Sequence, residues 1–142
     1  MAKLTPRMKN WLAGTGAHIG TATPEGLPTV IVAATTRILD DSRVAFDLSP
    51  EQVAHIRSNV EANPQIAFGP GGLGSIRAAY QFKGSGKIEG SSLTVAVDEI
   101  YSTKPGPEAG LRLDTLPYDS IIRFEKTRWQ DDGPPSSIGG HS

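Results

Sequence analysis

The sequence predicts a mainly β protein in which about seven short strands and two short helices form a small barrel or a sandwich. Sixteen glycines and eleven prolines separate short runs rich in Val, Ile and Thr, which is typical of turn-rich β proteins. Alternating apolar and polar residues recur along most of the chain, whereas a helical period occurs near the start and again near residue 50. A chain of 142 residues corresponds to one domain.

The first helix is predicted at the N-terminus. Thr5 and Pro6 form a helix cap and a first-turn pair, and apolar residues follow at positions i, i+4, i+7 and i+8. These apolar residues are Leu4, Met8, Trp11 and Leu12. The spacing predicts a short amphipathic helix that ends near Gly14 and packs its apolar side against the core.

Three strands of an antiparallel meander are expected at residues 18–23, 28–39 and 43–48. Residues 23–26 read T-P-E-G, which is a tight-turn sequence with Pro at the second position and Gly at the fourth. The strand at 28–39 is apolar on both faces through Ala34. A two-sided apolar pattern is typical of a buried strand, so we expect this strand to be central in the sheet.

A second helix begins after Ser49, which is a good N-cap. Pro50 occupies the first helical position, and Gln52 completes a capping box. An apolar stripe is formed by Val53, Ile56 and Val60. The opposite polar flank is predicted to carry Gln52, His55 and Asn59. The helix should end at Asn63, because a residue before proline is disfavoured in the α region.

Four more strands are expected at residues 65–68, 78–89, 92–101 and 118–129. Gly84 and Gly86 lie within the second of these strands and indicate a bulge. Alternation places Tyr80 and Phe82 on one face of that strand, opposite Ala79, Gln81 and Lys83. The next strand should turn Leu93, Val95 and Val97 inward. In the last one Ile122 and Phe124 share a face.

Composition excludes several classes of function. A net charge of −1 argues against a general nucleic-acid binder. The absence of cysteine excludes a disulfide framework, a zinc–thiolate site and a cysteine nucleophile. No apolar run approaches the roughly 18 residues of a membrane span, and the N-terminus lacks a signal-peptide pattern. We therefore expect a cytoplasmic protein with neither a membrane nor a nucleic-acid partner.

Motifs for catalysis are weak. Residues 69–74 match G-x-G-x-x-G, but the motif binds a dinucleotide only where it opens a helix, and here it leads into a β pattern. No G-x-S-x-G elbow is present. The histidines His18, His55 and His141 have no paired spacing for a metal. We therefore predict no metal site and leave the catalytic residues unassigned.

His55 is the side chain with two open interpretations. It is either a plain exposed histidine on a helix or a phosphate contact, since an imidazolium and nearby amides can bind phosphate near a helix start.

Four segments follow one another in the order of a known family. Residues 20–46, 55–68, 80–90 and 97–110 look like a hairpin with its third strand, a K-x-x-N-L-x-x-N-P helix, a K-G-x-A strand and an E-I-Y-x-x-x-P-G-P-E-A-G segment. The chain thus resembles the pyridoxamine-5′-phosphate-oxidase-like FMN-binding split barrels, specifically their small stand-alone members. The resemblance covers residues 5–129. It implies a split-barrel domain of six to seven strands at residues 1–130, with a disordered tail at 131–142.

The resemblance also implies a homodimer with FMN at the interface between its subunits. Val32, Ala33 and Ala34 would run along the flavin, while His55 and the backbone of Ile56 would hold the phosphate. Further contacts would come from Gln81 and Lys83, and from Trp129 of the partner chain.

An FMN-dependent oxidoreductase acting on a small molecule is therefore the first functional hypothesis. The alternative is a dimeric barrel that binds a small molecule without FMN, as a non-redox enzyme or a binding protein, because His55 stands where family members usually carry Lys or Arg. Another flavin or a deazaflavin falls under this alternative. Pyridoxamine-5′-phosphate oxidase itself is disfavoured, because the chain lacks an arginine-rich C-terminal segment.

Overall fold

The computed structural model describes residues 1–71, 80–104 and 106–129. Within these ranges the chain forms seven strands and three helices, so the predicted mainly β class is confirmed. The helices are α1 (Pro6–Gly14), α2 (Pro50–Ala62) and α3 (Tyr118–Arg128). The strands are β1 (Ala17–Ala22), β2 (Pro28–Ala33), β3 (Thr36–Ile38), β4 (Arg43–Asp47), β5 (Gln65–Pro70), β6 (Tyr80–Glu89) and β7 (Ser92–Ser102).

All seven strands belong to one antiparallel sheet in the order β2-β1-β5-β6-β7-β4-β3. β2 and β3 are its two edges, although only Ala34 and Thr35 separate them along the chain. Three Cα–Cα steps from Ala33 to Thr36 span at most about 11 Å, whereas the edges of a flat seven-stranded sheet lie about 29 Å apart. The sheet therefore curls until its edges approach each other across an unpaired seam.

The core fills the inside of this curl. Phe68 lies between Phe46 and Phe82, with ring centroids 5.1 Å away on each side. α1 contributes Met8, Trp11 and Leu12, and Leu4 lies just before its N-cap. All four side chains are fully buried, so the predicted apolar stripe is confirmed. α2 contributes its stripe of Val53, Ile56 and Val60.

A bulge lies in β6, as the two glycines predicted. The register between β6 and β7 shifts between Lys83 and Gly84. A Cβ on Gly84 would lie 2.0 Å from the carbonyl oxygen of Ala96, so only glycine lets the two backbones approach this closely. The shift bends β6 where the sheet curls. Beyond it Leu93, Val95 and Val97 point inward and are fully buried.

The strand predicted at residues 28–39 is wrong in two respects. It breaks at Ala34 and Thr35 into β2 and β3, and β2 is an edge strand rather than a central one. Val30 and Val32 are both 65% exposed. The two-sided apolar pattern is real, but the outer side of β2 is not covered by any described part of the same chain.

The strand predicted at residues 118–129 is also wrong, because this segment is the helix α3. Ile121, Glu125 and Trp129 are its buried contacts with the body of the protein. Their spacing of four residues is the helical one. The signal was hidden because the middle of the stripe is a carboxylate and Pro117 caps the helix without a side-chain hydrogen bond.

Two predictions fall wholly or partly outside the described residues. β5 ends at Pro70, and residues 72–79, which contain the rest of the glycine-rich segment, lie outside the described ranges. The tail predicted at residues 131–142 lies outside them as well.

Candidate functional site

The start of α2 is tied to the free edge of β2 by one side chain. Ser49 Oγ accepts a hydrogen bond from the backbone N–H of Gln52, and Gln52 Oε1 accepts one from the backbone N–H of Ser49, each at 3.1 Å. The predicted capping box is therefore confirmed. Gln52 Nε2 also donates to the carbonyl oxygen of Val32 at 2.7 Å. One glutamine thus caps the helix and fixes its position against β2.

A pocket of about 460 Å³ lies at this junction, and we call it the α2 pocket. It is lined by Ile31, Ser49, Glu51, Gln52 and His55. Val32, exposed, follows Ile31 on β2 and accepts the hydrogen bond from Gln52. The structure therefore places the predicted residues Val32 and His55 beside one opening.

Glu51 is a lining residue that the sequence analysis did not identify. It precedes His55 by four residues, so both side chains leave α2 on the same side. Its carboxylate would repel a bound phosphate, whereas His55 and the Ser49 hydroxyl can donate hydrogen bonds to a phosphate. The i, i+4 spacing from His55 was the signal that could have found it.

Other predicted residues lie near the α2 pocket without lining it. Ala33 and Ile56 are fully buried, so only their backbone could contact a ligand, whereas Ala34 is exposed beyond the end of β2. The prediction that Asn59 shares an open polar flank is wrong. Asn59 is buried and donates from Nδ2 to Thr21 Oγ1 at 3.1 Å, because α2 rests on β1 along that side.

Gln81 and Lys83 lie on the outer face of the sheet, away from the α2 pocket. Lys83 lines a second opening of about 280 Å³, which also includes Asn63 just after the end of α2. Eight residues separate His55 from Asn63, which corresponds to about 12 Å along the helix axis. The structure therefore does not bring Lys83 and His55 of one chain together.

Trp129 lies inside its own chain. It is 2% exposed, and its ring meets Tyr80 and Phe124 edge-on at 5.4 and 5.0 Å. The Arg7 guanidinium lies 4.9 Å from the ring centroid. A role for Trp129 in the site of a partner chain stays a prediction.

Next to Trp129 lies a buried polar group that the sequence analysis missed. Glu125 Oε2 accepts hydrogen bonds from Thr5 Oγ1 at 2.7 Å and from the Tyr80 hydroxyl. Burial raises the pKa of Glu125, although the hydrogen bonds from Tyr80 and Thr5 act in the opposite direction. Burial, and then the negative charge of Glu125, raise the pKa of Tyr80 well above its usual value. This group joins α1, β6 and α3 and is closed to ligands.

Neither a metal centre nor a membrane segment emerges from the described ranges. No three residues of the types His, Cys, Asp and Glu cluster there closely enough to hold a metal ion. Similarly, no helix in these ranges combines the length and the apolar character that crossing a membrane requires.

The curled antiparallel sheet, its unpaired seam and the capped helix beside that seam define a split barrel. No protein-family model matches the chain, and no curated protein is similar enough to it to count as a relative. Solved structures of similar fold exist. HupZ of Group A Streptococcus is 19% identical with a TM-score of 0.59, over 75% of this chain and 99% of HupZ.

A Lactobacillus delbrueckii protein, provisionally assigned as a pyridoxamine 5′-phosphate oxidase, is 14% identical with a TM-score of 0.58. The match covers 70% of this chain and 94% of that protein. Similarity at this level of identity establishes the fold. The chain has the split-barrel fold of these two structures, and the fold that the resemblance implies is confirmed.

Proposed function

We propose that the protein is an FMN-binding oxidoreductase that acts on a small molecule. The observation that supports this most is the α2 pocket, where the Gln52–Val32 hydrogen bond holds the helix start beside β2. His55 and the Ser49 hydroxyl would hold the phosphate, and the exposed edge of β2 at Val32 would lie along the ring. FMN would supply the redox chemistry, while the protein supplies binding and orientation.

The fit of the α2 pocket to a phosphate depends on the balance between His55 and Glu51. Both side chains are exposed, so each reaches solvent as readily as a ligand. Glu51 can turn its carboxylate away from a bound anion at little cost, since neither a hydrogen bond nor an ion pair to another described residue holds it. The donors present therefore suffice for a phosphate contact that is weaker than one made by Lys or Arg.

We also propose that the working form is a homodimer. Leu27, Val30 and Val32 are the most exposed large apolar side chains after Met1 among the described residues, and Val30 and Val32 lie two residues apart on one face of β2. Each of these two valines is 65% exposed, so covering one completely contributes roughly 1–2 kcal/mol. A second copy seated on this face would remove the apolar surface from water and enclose the adjoining α2 pocket.

A small-molecule binder that does not use FMN is the second candidate, and Glu51 favours it. A carboxylate in the α2 pocket accepts hydrogen bonds from hydroxyl or amine groups more readily than it tolerates a phosphate. Both His55 and Glu51 could form hydrogen bonds with such a ligand.

Titration with FMN, followed by flavin fluorescence, tests the first candidate. His55→Ala should weaken FMN binding by about 1–3 kcal/mol, while His55→Lys and Glu51→Gln should strengthen it. The matched control is Arg57→Ala, which removes a full positive charge from the same helix outside the α2 pocket. An effect of Arg57→Ala as large as that of His55→Ala would attribute the change to general electrostatics.

Absence of FMN binding at micromolar concentration would exclude the first candidate. In that case, ligand screening with wild type and Glu51→Gln separates a non-FMN binder from a chain without a ligand. Light scattering checks the homodimer, and a monomer that retains flavin would contradict the interface site.

A further inference from the structure

His18 stands on the outer face of the sheet that the proposed homodimer would bury. It lies on β1 opposite Val32 of β2 and opposite Gly69 of β5. Residues directly opposite each other share a face of the sheet. The neighbours Ala17 and Ile19 are fully buried, whereas His18 is exposed. The imidazole is therefore on the same outer face as the exposed side chain of Val32.

The ring of His18 extends over β5, because Gly69 has no side chain to keep it away. A Cβ added to Gly69 would lie 3.1 Å from Nε2 of His18 and 3.4 Å from its Cε1. The imidazole therefore lies low against the sheet and crosses from β1 towards β5. Val30 and Val32 stand beside it on β2, so a second copy seated on these two valines would cover the ring as well.

The strands around His18 contain no acid. β1, β2 and β5 have neither Asp nor Glu, and the part of β6 before its bulge adds only the cation Lys83. Residues 72–79 include no acid either. The first acid across the sheet is Glu99 on β7, which lies opposite Lys83 and 3.6 Å from Arg112. Within the described part of this face, a protonated His18 therefore has no anion next to it.

Two other acids lie at the borders of this face. Glu25 is in the turn after β1, beyond Ala22, which is about 13 Å from His18 along the strand. Glu51 lines the α2 pocket together with His55, and His18 is not part of that lining. Both carboxylates thus belong to the rim of the face rather than to the surroundings of the His18 ring.

Covering this face has different consequences for the two forms of His18. A neutral imidazole can be buried at little cost, whereas a buried imidazolium without a counter-ion is strongly unfavourable. In a single chain, water solvates either form of the exposed ring. A twofold interface buries the same patch on both copies, so each dimer would bury two such rings, with the two Lys83 cations nearby.

We propose that protonation of His18 dissociates the homodimer, which makes the outer face of β1, β2 and β5 a pH-sensitive surface for self-association. This inference rests on the homodimer of the proposed function. Imidazole gains its proton as the pH falls from about 8 to about 5. One unit below the ordinary pKa of imidazole, only about one ring in ten is neutral. A dimer that accepts only neutral rings therefore weakens about tenfold per copy and about a hundredfold in total. The α2 pocket, which the second copy would enclose, opens as the dimer dissociates.

Sedimentation equilibrium of the full chain at about pH 8 and about pH 5.5, at equal ionic strength, tests this switch. The dissociation constant of the wild-type dimer should rise at least tenfold at the lower pH. His18→Gln keeps a polar side chain without charge and should give the same constant at both pH values. His18→Thr is a second neutral variant if His18→Gln fails to fold, because threonine suits a strand. Far-ultraviolet circular dichroism at both pH values distinguishes dissociation from unfolding.

Two control variants assign the effect to this face. Val30→Lys places a permanent cation on the proposed interface and should be monomeric at both pH values. His55→Gln removes the other histidine of the described ranges and should keep the pH dependence of wild type.

The outcomes separate this switch from the homodimer on which it rests. A wild-type dimer that is equally tight at both pH values, or tighter at the lower one, would overturn the switch and leave the homodimer in place. The same holds if His18→Gln keeps the pH dependence and His55→Gln loses it. A wild-type monomer at both pH values would overturn the homodimer itself. A dimeric Val30→Lys would place the interface on another face and overturn both proposals.

Discussion

Replacing Glu125 with alanine should destabilise the protein more than any substitution of an exposed acid. Glu125 is 4% exposed and lies at the centre of the stripe that holds α3 against the body. Its Oε2 atom accepts from Thr5 Oγ1 and from the Tyr80 hydroxyl, and both of these donors are themselves buried. Alanine leaves two buried hydroxyl groups without an acceptor.

The expected magnitude follows from these two donors. Each buried donor that loses its partner costs about 1–3 kcal/mol, so Glu125→Ala should lower the free energy of unfolding by roughly 2–6 kcal/mol. Glu125→Gln should cost less, about 1–2 kcal/mol, because both hydrogen bonds converge on one oxygen and an amide oxygen can take its place. Glu61→Ala is the matched control, since its i, i+4 partner Arg57 lies 4.0 Å away at the surface and such pairs contribute about 0.3–0.5 kcal/mol.

Urea unfolding followed by tryptophan fluorescence measures these differences as shifts in midpoint at constant slope. Trp129 adjoins the Glu125 group and Trp11 is buried in α1, so the fluorescence reports the packing of both helices. If Glu125→Ala cost no more than Glu61→Ala, the buried hydrogen bonds would not stabilise the fold. If Glu125→Gln cost as much as Glu125→Ala, the charge rather than the acceptor geometry would be responsible.

Two further predictions concern pH and the bulge. Burial raises the pKa of Glu125. The stability linked to this group is therefore fully present below its unfolded-state pKa and is lost as the pH rises through the higher pKa of the folded state. The stability advantage of wild type over Glu125→Gln should therefore be larger near pH 4 than near pH 7 in urea unfolding, and the opposite trend would contradict it. Gly84→Ala should lower the free energy of unfolding by about 1–3 kcal/mol, because the added Cβ would clash with the Ala96 carbonyl oxygen. Gly20→Ala is the control and should be nearly neutral. Equal losses of stability would refute the argument from the close backbone approach.

Features with local causes were predictable from the sequence. Thr5 and Ser49 cap α1 and α2 with side chains that bond the helix's own backbone, so a few adjacent residues determine where each helix begins. The bulge at Gly84 was predictable for the same reason, since glycine inside an alternating strand marks a close approach of backbones.

Features set by distant partners were not predictable. An apolar pattern on both faces of residues 28–33 says that both faces leave water, but it does not say whether strands of the same chain or another molecule cover them. In α3 the carboxylate of Glu125 interrupts the apolar stripe, and its donors Thr5 and Tyr80 lie far away in sequence. A period-based analysis counts such a residue as exposed and misses the helix.

The candidate site also combines features that the sequence predicts with features that depend on the fold. The capping box predicts that His55 lies near a helix start. The relevance of the Glu51 carboxylate follows only from the structure, in which Glu51 and His55 line one pocket. The separation of Lys83 from His55 depends on the length of α2 and on the order of the strands. Only the folded chain provides that information.

The free edge of β2 has a consequence for self-association through the backbone. Along a strand, N–H and C=O groups of alternate residues face the same side, so the Val32 carbonyl that bonds Gln52 shows that Pro28 and Val30 also face the seam. Pro28 has no N–H to offer, and the Val32 carbonyl is already occupied. Among the backbone groups that face the seam, little more than those of Val30 remain to form hydrogen bonds with an incoming strand. This edge therefore resists the strand addition that leads to aggregation.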